Sequence, residues 1–126
     1  HWVVVYVAPD PCSEGCLQDV TALRQVHRAA GRDQSRIRLL AMGRGAADRS
    51  GDLRAVYPAL MIAGEPGPVL SAQLGEIAGL EGAEPQRSLY LLDPLGNIMM
   101  FYAAGFDPND LKKDLKRLLT WSNLDE

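Results

Sequence analysis

The sequence predicts an α/β fold of three layers, a central mixed β-sheet flanked by helices. Three observations carry that expectation. Residues 2–8, Trp-Val-Val-Val-Tyr-Val-Ala, are apolar at every position, as in a strand covered on both faces. A helical pattern over 16–30 and a second apolar run over 37–42 follow, so strand, helix and strand succeed one another as in a right-handed βαβ unit. Nearer the end, two short apolar runs flank Asp93-Pro94-Leu95-Gly96-Asn97, a tight reversal that makes them antiparallel neighbours.

A chain of 126 residues is long enough for one core without metals or several disulfides to support it, so residues 1–126 are expected to form one domain. Hydrophobic residues at 47% and charged residues at 23% place it among ordinary globular proteins. A net charge of −3 with scattered basic residues gives no reason to expect a nucleic-acid partner. No apolar run approaches the roughly 20 residues of a spanning helix. The chain opens on His1, at the edge of a core strand, and an N-terminal anchor segment is expected to precede it.

The first strand stops at Pro9-Asp10-Pro11, where two prolines bar further strand pairing. Leu17, Val20, Leu23, Val26 and Ala30 then recur at helical spacing among polar residues, and Gly31 supplies the stop. A polar turn leads into the strand at 37–42. Residues 43–88 are broken by Gly and Pro, with room for two short helices, about 51–57 and 69–78. Strands over 88–92 and 98–102 come next. Asp107 caps the last helix with Pro108 in its first turn, and Leu111, Leu115, Leu118 and Leu119 share its apolar face. Its Lys112, Lys113, Lys116 and Arg117 read as a solvated face.

The chemistry concentrates in Cys12-Ser13-Glu14-Gly15-Cys16, which holds both cysteines. With a helix starting near Ser13, Cys12 stands at its N-terminal end, where free N–H groups and the dipole favour a thiolate. Cys12 is then the attacking nucleophile and Cys16, one turn on, the resolving thiol. Positions i and i+4 of a helix lie about 6 Å apart, within disulfide range. Two thiolates also suit a soft ion such as Cu(I), which wants a third ligand. Exchange, copper binding and a plain staple all stay open, with exposed turn thiols favouring the first two. His27 lies roughly 16 Å up the helix axis, too far to join, and reads as half-buried. Met42, Met61, Met99 and Met100 fall in apolar runs and read as core residues. A four-ligand zinc site, a phosphate loop and a Ser-His-Asp hydrolase all lack their residues.

The ordered pattern, with a two-cysteine turn after the first strand and Asp93-Pro94-Leu95-Gly96 between two later ones, resembles a thioredoxin-like fold. The three-residue gap between Cys12 and Cys16 resembles the Sco/SenC family of cytochrome oxidase assembly proteins. That resemblance implies a membrane-anchored domain on the periplasmic side of the cytoplasmic membrane. Cys12 and Cys16 would serve there as Cu(I) ligands or as a thiol–disulfide pair, and partner proteins would be protein thiols or a cytochrome oxidase subunit. It also implies a third copper ligand, a histidine shortly before the strand at 88–92, where this chain has Glu84-Pro85-Gln86-Arg87-Ser88. The family's prolines beside the cysteines are replaced by Ser13 and Leu17. These departures move weight from copper delivery to redox service. Thioredoxin-type enzymes hold a cis proline facing the pair, and Pro85 is the one candidate there, although it stands a residue or two early and reads first as a plain turn proline. The rival expectation is a partner-binding module in which the pair has no catalytic duty, and the cavity is expected between the cysteine turn and the loop before Leu89.

Overall fold

The computed structural model describes residues 1–121; the last five residues of the expected domain, 122–126, lie outside the described residues. The elements are β1 (Trp2–Val7), α1 (Glu14–Ala29), a 3-10 segment (Gly31–Arg36), β2 (Ile37–Met42), α2 (Arg44–Asp48), α3 (Ser50–Val56), β3 (Met61–Ala63), α4 (Pro68–Leu80), β4 (Leu89–Leu92), β5 (Ile98–Tyr102) and α5 (Pro108–Trp121). The strands form one sheet in the order β3-β2-β1-β4-β5. β1 pairs parallel with β2 and antiparallel with β4, β3 runs parallel to β2, and β5 closes the hairpin with β4. The sheet is therefore mixed, as the sequence predicts.

β1 is apolar throughout because both of its faces are covered. Trp2, Val4 and Tyr6 join Val20 and Leu23 of α1 and Leu111, Leu115 and Leu119 of α5 in the larger cluster. Val5 faces the other way, with Tyr90, Met42 and Leu74 of α4. Burying each such aliphatic side chain contributes about 1.5–3 kcal/mol. Three tyrosines tie strands to helices through their hydroxyls: Tyr6 donates to Asp19 at 2.6 Å, Tyr90 to the Leu74 carbonyl at 2.7 Å and Tyr102 to Asp114 at 2.7 Å.

Several expectations are corrected in the middle of the chain. The polar turn expected over residues 31–36 is a 3-10 segment, entered through Gly31 at φ +58°. The Gly- and Pro-rich stretch contains α2 and the short edge strand β3 as well as the two expected helices. Three residues between Pro58 and Gly64 are too few for a period to register. Met61 and Met99 are 49% and 46% exposed, not core residues; one lies on edge strand β3 and the other on edge strand β5, where neighbours stand on one side only. Met42 is buried as expected.

The two expected turns hold. Asp93 closes the β4–β5 reversal, its carboxylate accepting from the Leu95 and Asn97 backbone N–H groups at 2.9 Å and from the Asn97 amide at 3.1 Å. Gly96 takes φ +89°, which glycine adopts without steric cost. Burial would raise the Asp93 carboxyl, but the hydrogen bonds from Asn97, Leu95 and Gly96 outweigh it and hold the group below its ordinary value. Asp107 caps α5 by accepting from the Asn109 N–H at 2.9 Å. Among the described residues, no helix is long and apolar enough to cross a membrane.

Candidate functional site

Cys12 and Cys16 come together at the carboxyl end of β1, joined by a disulfide of 2.12 Å with the Cα atoms 5.2 Å apart. Ser13 is the N-cap residue of α1 in extended conformation, so Cys12 precedes the helix and Cys16 lies in its first turn. The position of Cys12 at the positive end of the helix is the one the sequence predicts. The exposed thiols expected from a turn are corrected: Cys12 and Cys16 are 1% and 0% exposed and belong to the larger core cluster. The reason is tertiary, because α2 and α3 close over a turn that the local sequence leaves open.

Gly45 in α2 makes this closure possible. A Cβ there would stand 1.9 Å from the Pro9 carbonyl oxygen and 3.2 Å from the Asp10 Cα, so α2 packs directly on the backbone leading to Cys12. Arg49, at the N-cap of α3, donates from Nη1 to the Cys12 carbonyl at 2.7 Å while its Nε and Nη2 hold Asp52 at 2.9 Å. The backbone of the cysteine turn is thus fastened by a residue 37 positions away.

On the opposite side lies Arg87. Its guanidinium grips the Asp19 carboxylate in two places, Nε to Oδ2 at 2.9 Å and Nη2 to Oδ1 at 3.2 Å. The Nη2 group also reaches the Gly15 carbonyl at 3.4 Å. A Cβ on Gly15 would sit 3.0 Å from that nitrogen, so glycine between the cysteines leaves room for the guanidinium. Asp19 accepts from Tyr6 as well, and Tyr6, Asp19 and Arg87 form one chain of contacts beside the disulfide. Burial, then the Asp19 partner, raises the Tyr6 phenol well above its ordinary range. Its hydrogen bond and charge pairing with Asp19 likewise raise Arg87, which keeps its charge in any case.

Arg87 does this from a left-handed backbone, φ 62°, at the third position of a turn closed by the Ser88 N–H on the Pro85 carbonyl at 3.0 Å. That conformation costs a non-glycine residue roughly 1 kcal/mol, offset by the two-pronged ion pair. Pro85 is a plain turn proline, the reading the sequence favours: the one cis peptide among the described residues is Asp10–Pro11. The loop before β4 faces the cysteine turn with a guanidinium. Sequence reasoning places no role on Arg87, Asp19 or Arg49; a bidentate pair 68 residues apart leaves no local signal.

The cavity expected between the cysteine turn and the loop before Leu89 is displaced: the hollow found takes in Pro85 and Gln86 of that loop, but no residue from Cys12 to Cys16 lines it. A hollow of about 180 Å³ begins at Asp10 and is walled by Val7, Glu65, Leu74, Pro85 and Gln86. Neither histidine lines it. His27 is half-buried, hydrogen-bonded to Tyr57 and, through Nε2, to the Gln34 carbonyl at 2.9 Å. His1 accepts from Arg38 at 3.3 Å, at the other end of β1. No cluster of three or more His, Cys, Asp or Glu side chains able to hold a metal ion occurs among the described residues.

A protein-family model described as transmembrane-like, thioredoxin-like, C-terminal domain matches residues 2–122. No curated protein matches the chain. Among solved structures, Arabidopsis thaliana ScoI with copper bound superposes with a TM-score of 0.68 at 14% identity, covering 96% of this chain and 85% of that one. Yeast Sco1 with copper bound gives 0.69 at 11% identity over 99% and 82%. A SCO1/SenC family lipoprotein of Bacillus anthracis gives 0.60 at 15% identity over 94% and 81%. At these identities the likeness is one of fold, and the fold is the thioredoxin-like one with Sco structures among its neighbours.

Proposed function

The chain belongs to the family described as transmembrane-like, thioredoxin-like, C-terminal domain, and from that premise we propose a Sco-like thiol–disulfide exchange domain worked by Cys12 and Cys16. The observation that carries this reading is the disulfide itself, formed between the residue before the α1 N-cap and a residue of its first turn. In the reduced protein the Cys12 thiolate attacks one sulfur of a partner disulfide and expels the other as a thiolate. The Cys16 thiolate then attacks Cys12 Sγ and releases the second partner sulfur. Two electrons pass from the protein dithiol to the partner, and the two protons of Cys12 and Cys16 end on the partner thiols.

In this reading the domain assists assembly of the cytochrome c oxidase copper centre, from a tether on the periplasmic side of the cytoplasmic membrane. Support comes from the fold shared with Sco1 and with the SCO1/SenC family lipoprotein. Copper would be cargo, held by the two thiolates of the reduced pair. No third His, Cys, Asp or Glu side chain groups with them among the described residues; Arg87, a cation, occupies the facing loop. The donor set falls short of a three-ligand site, so exchange takes precedence.

A structural staple is the second reading, favoured by the burial of both sulfur-bearing residues. A loop this short constrains the unfolded chain by only about 2 kcal/mol. Equilibration in dithiothreitol and glutathione buffers separates the two. Exchange predicts a Cys12–Cys16 potential between about −270 and −120 mV, a staple one below about −300 mV. In the exchange reading Cys16→Ser captures a mixed disulfide through Cys12, and Cys12→Ser captures none.

A further inference from the structure

The hollow next to the cysteine turn, lined by Asp10 and Gln86 and by neither cysteine, has a floor, a rim and a charge. Its floor is aliphatic, with buried Leu74 and half-buried Val7. Its rim carries Asp10, two residues before Cys12, and Glu65 across from it, both exposed. Glu65 Oε1 accepts from the Arg44 backbone N–H at 3.2 Å. Neither carboxylate has an ion-pair partner among the described residues, and the same holds for Glu14 in the first turn of α1 and Glu84 in the loop before β4. The cations around the site are committed: Arg49 to Asp52, Arg87 to Asp19 and Arg44 to Asp48. The surface around Cys12 therefore carries uncompensated negative charge.

The wall offers backbone as well. Gln86 occupies the second position of the Pro85–Ser88 turn, and its N–H and C=O make no hydrogen bond with the described residues. A free donor and acceptor at the edge of an aliphatic trough are the means by which an extended chain is held in register. A lysine or arginine side chain matches the rest: its methylene stem covers an apolar floor while its charged head reaches a carboxylate rim.

We propose that this trough takes an extended, basic segment of the partner protein, with lysine or arginine flanking the cysteine that is exchanged. This rests on the exchange reading and names its substrate class. The partner chain lies along Gln86, a cationic side chain two or three residues from its cysteine spans the trough to Asp10 and Glu65, and the cysteine is carried to Cys12. Acidic segments are repelled by the same four carboxylates. Such steering weakens as salt shortens the reach of the charges to a few ångströms.

The test uses two disulfide-linked peptide dimers with one central cysteine each, flanked by lysines in one and by glutamates in the other. The reduced protein is oxidised by each at pH 7, and each rate is divided by that of 2-mercaptoethanol with the same peptide to remove leaving-group differences. The expected ratio of lysine to glutamate peptide is about tenfold or more at low ionic strength. It falls at least threefold in 0.5 M salt and in the Asp10→Asn, Glu65→Gln double variant, whose exposed positions leave the fold intact by circular dichroism. Rates without charge preference, or a preference indifferent to salt and to these substitutions, overturn the basic-segment proposal and leave the exchange reading standing. A reduced protein that reacts with neither peptide overturns both.

Discussion

Two proline-bearing turns leave the sheet at strands that pair with each other, β1 and β4, and they are built on opposite plans. The turn after β4 is self-sufficient: the Asp93 carboxylate binds Leu95 and Asn97, two and four residues on, and Gly96 supplies the positive φ. The turn after β1 has no comparable local bonds. Its cysteine carbonyl is held by Arg49, its backbone is pressed by Gly45, and its middle glycine lies under Arg87. A turn built from its own residues keeps one shape, whereas a turn fastened from three distant elements can be retuned or released by them. The second plan suits a cysteine pair whose residues are 1% and 0% exposed and which, in the exchange reading, has to be released to a partner.

Breaking the distant plan should cost most. Gly45→Ala forces a methyl group to 1.9 Å from the Pro9 carbonyl, so α2 or the Pro9–Asp10 segment has to move. The expected loss is about 3 kcal/mol in urea denaturation, with faster reduction of the disulfide by dithiothreitol as the cover loosens. Unchanged stability and reduction rate would mean that α2 does not clamp the turn.

Arg87 comes next, and two substitutions there separate its side chain from its backbone. Arg87→Met keeps the cost of φ 62° and strips Asp19 of its bidentate partner, for an expected loss of about 2 kcal/mol. Arg87→Gly loses the same ion pair but relieves the left-handed strain, and should be more stable than the Met variant by roughly 1 kcal/mol. Equal denaturation midpoints for the two would refute the offset between strain and ion pair.

The smallest effect is expected at the local turn. The folded state holds the Asp93 carboxyl below its ordinary value, so its contribution is fully present above the unfolded carboxylate value near 3.8 and is lost as pH falls through the lowered folded value. Asp93→Asn keeps an acceptor for the turn, so it should change little at pH 7 and should flatten the acid limb of the stability curve below about pH 4. A large loss at neutral pH would instead place this hairpin on the same distant plan as the cysteine turn.

The sequence by itself determined what depends on near neighbours. An all-apolar β1 requires cover on both faces. The spacing from Leu17 to Val26 requires an amphipathic helix. Asp93-Pro94-Leu95-Gly96-Asn97 contains its own hydrogen-bond partners, and Cys12 and Cys16 sit one turn apart at a helix start. Only the tertiary structure decided that the thiol pair is buried, that Gly45 and Arg49 close over it, that Pro85 is not the cis residue, and that Arg87 and Asp19 meet across 68 positions. The physical reason is range. Helix periodicity and turn chemistry act over two to four residues and leave a pattern in the chain, whereas ion pairs and close backbone packing join residues that only the assembled sheet brings together.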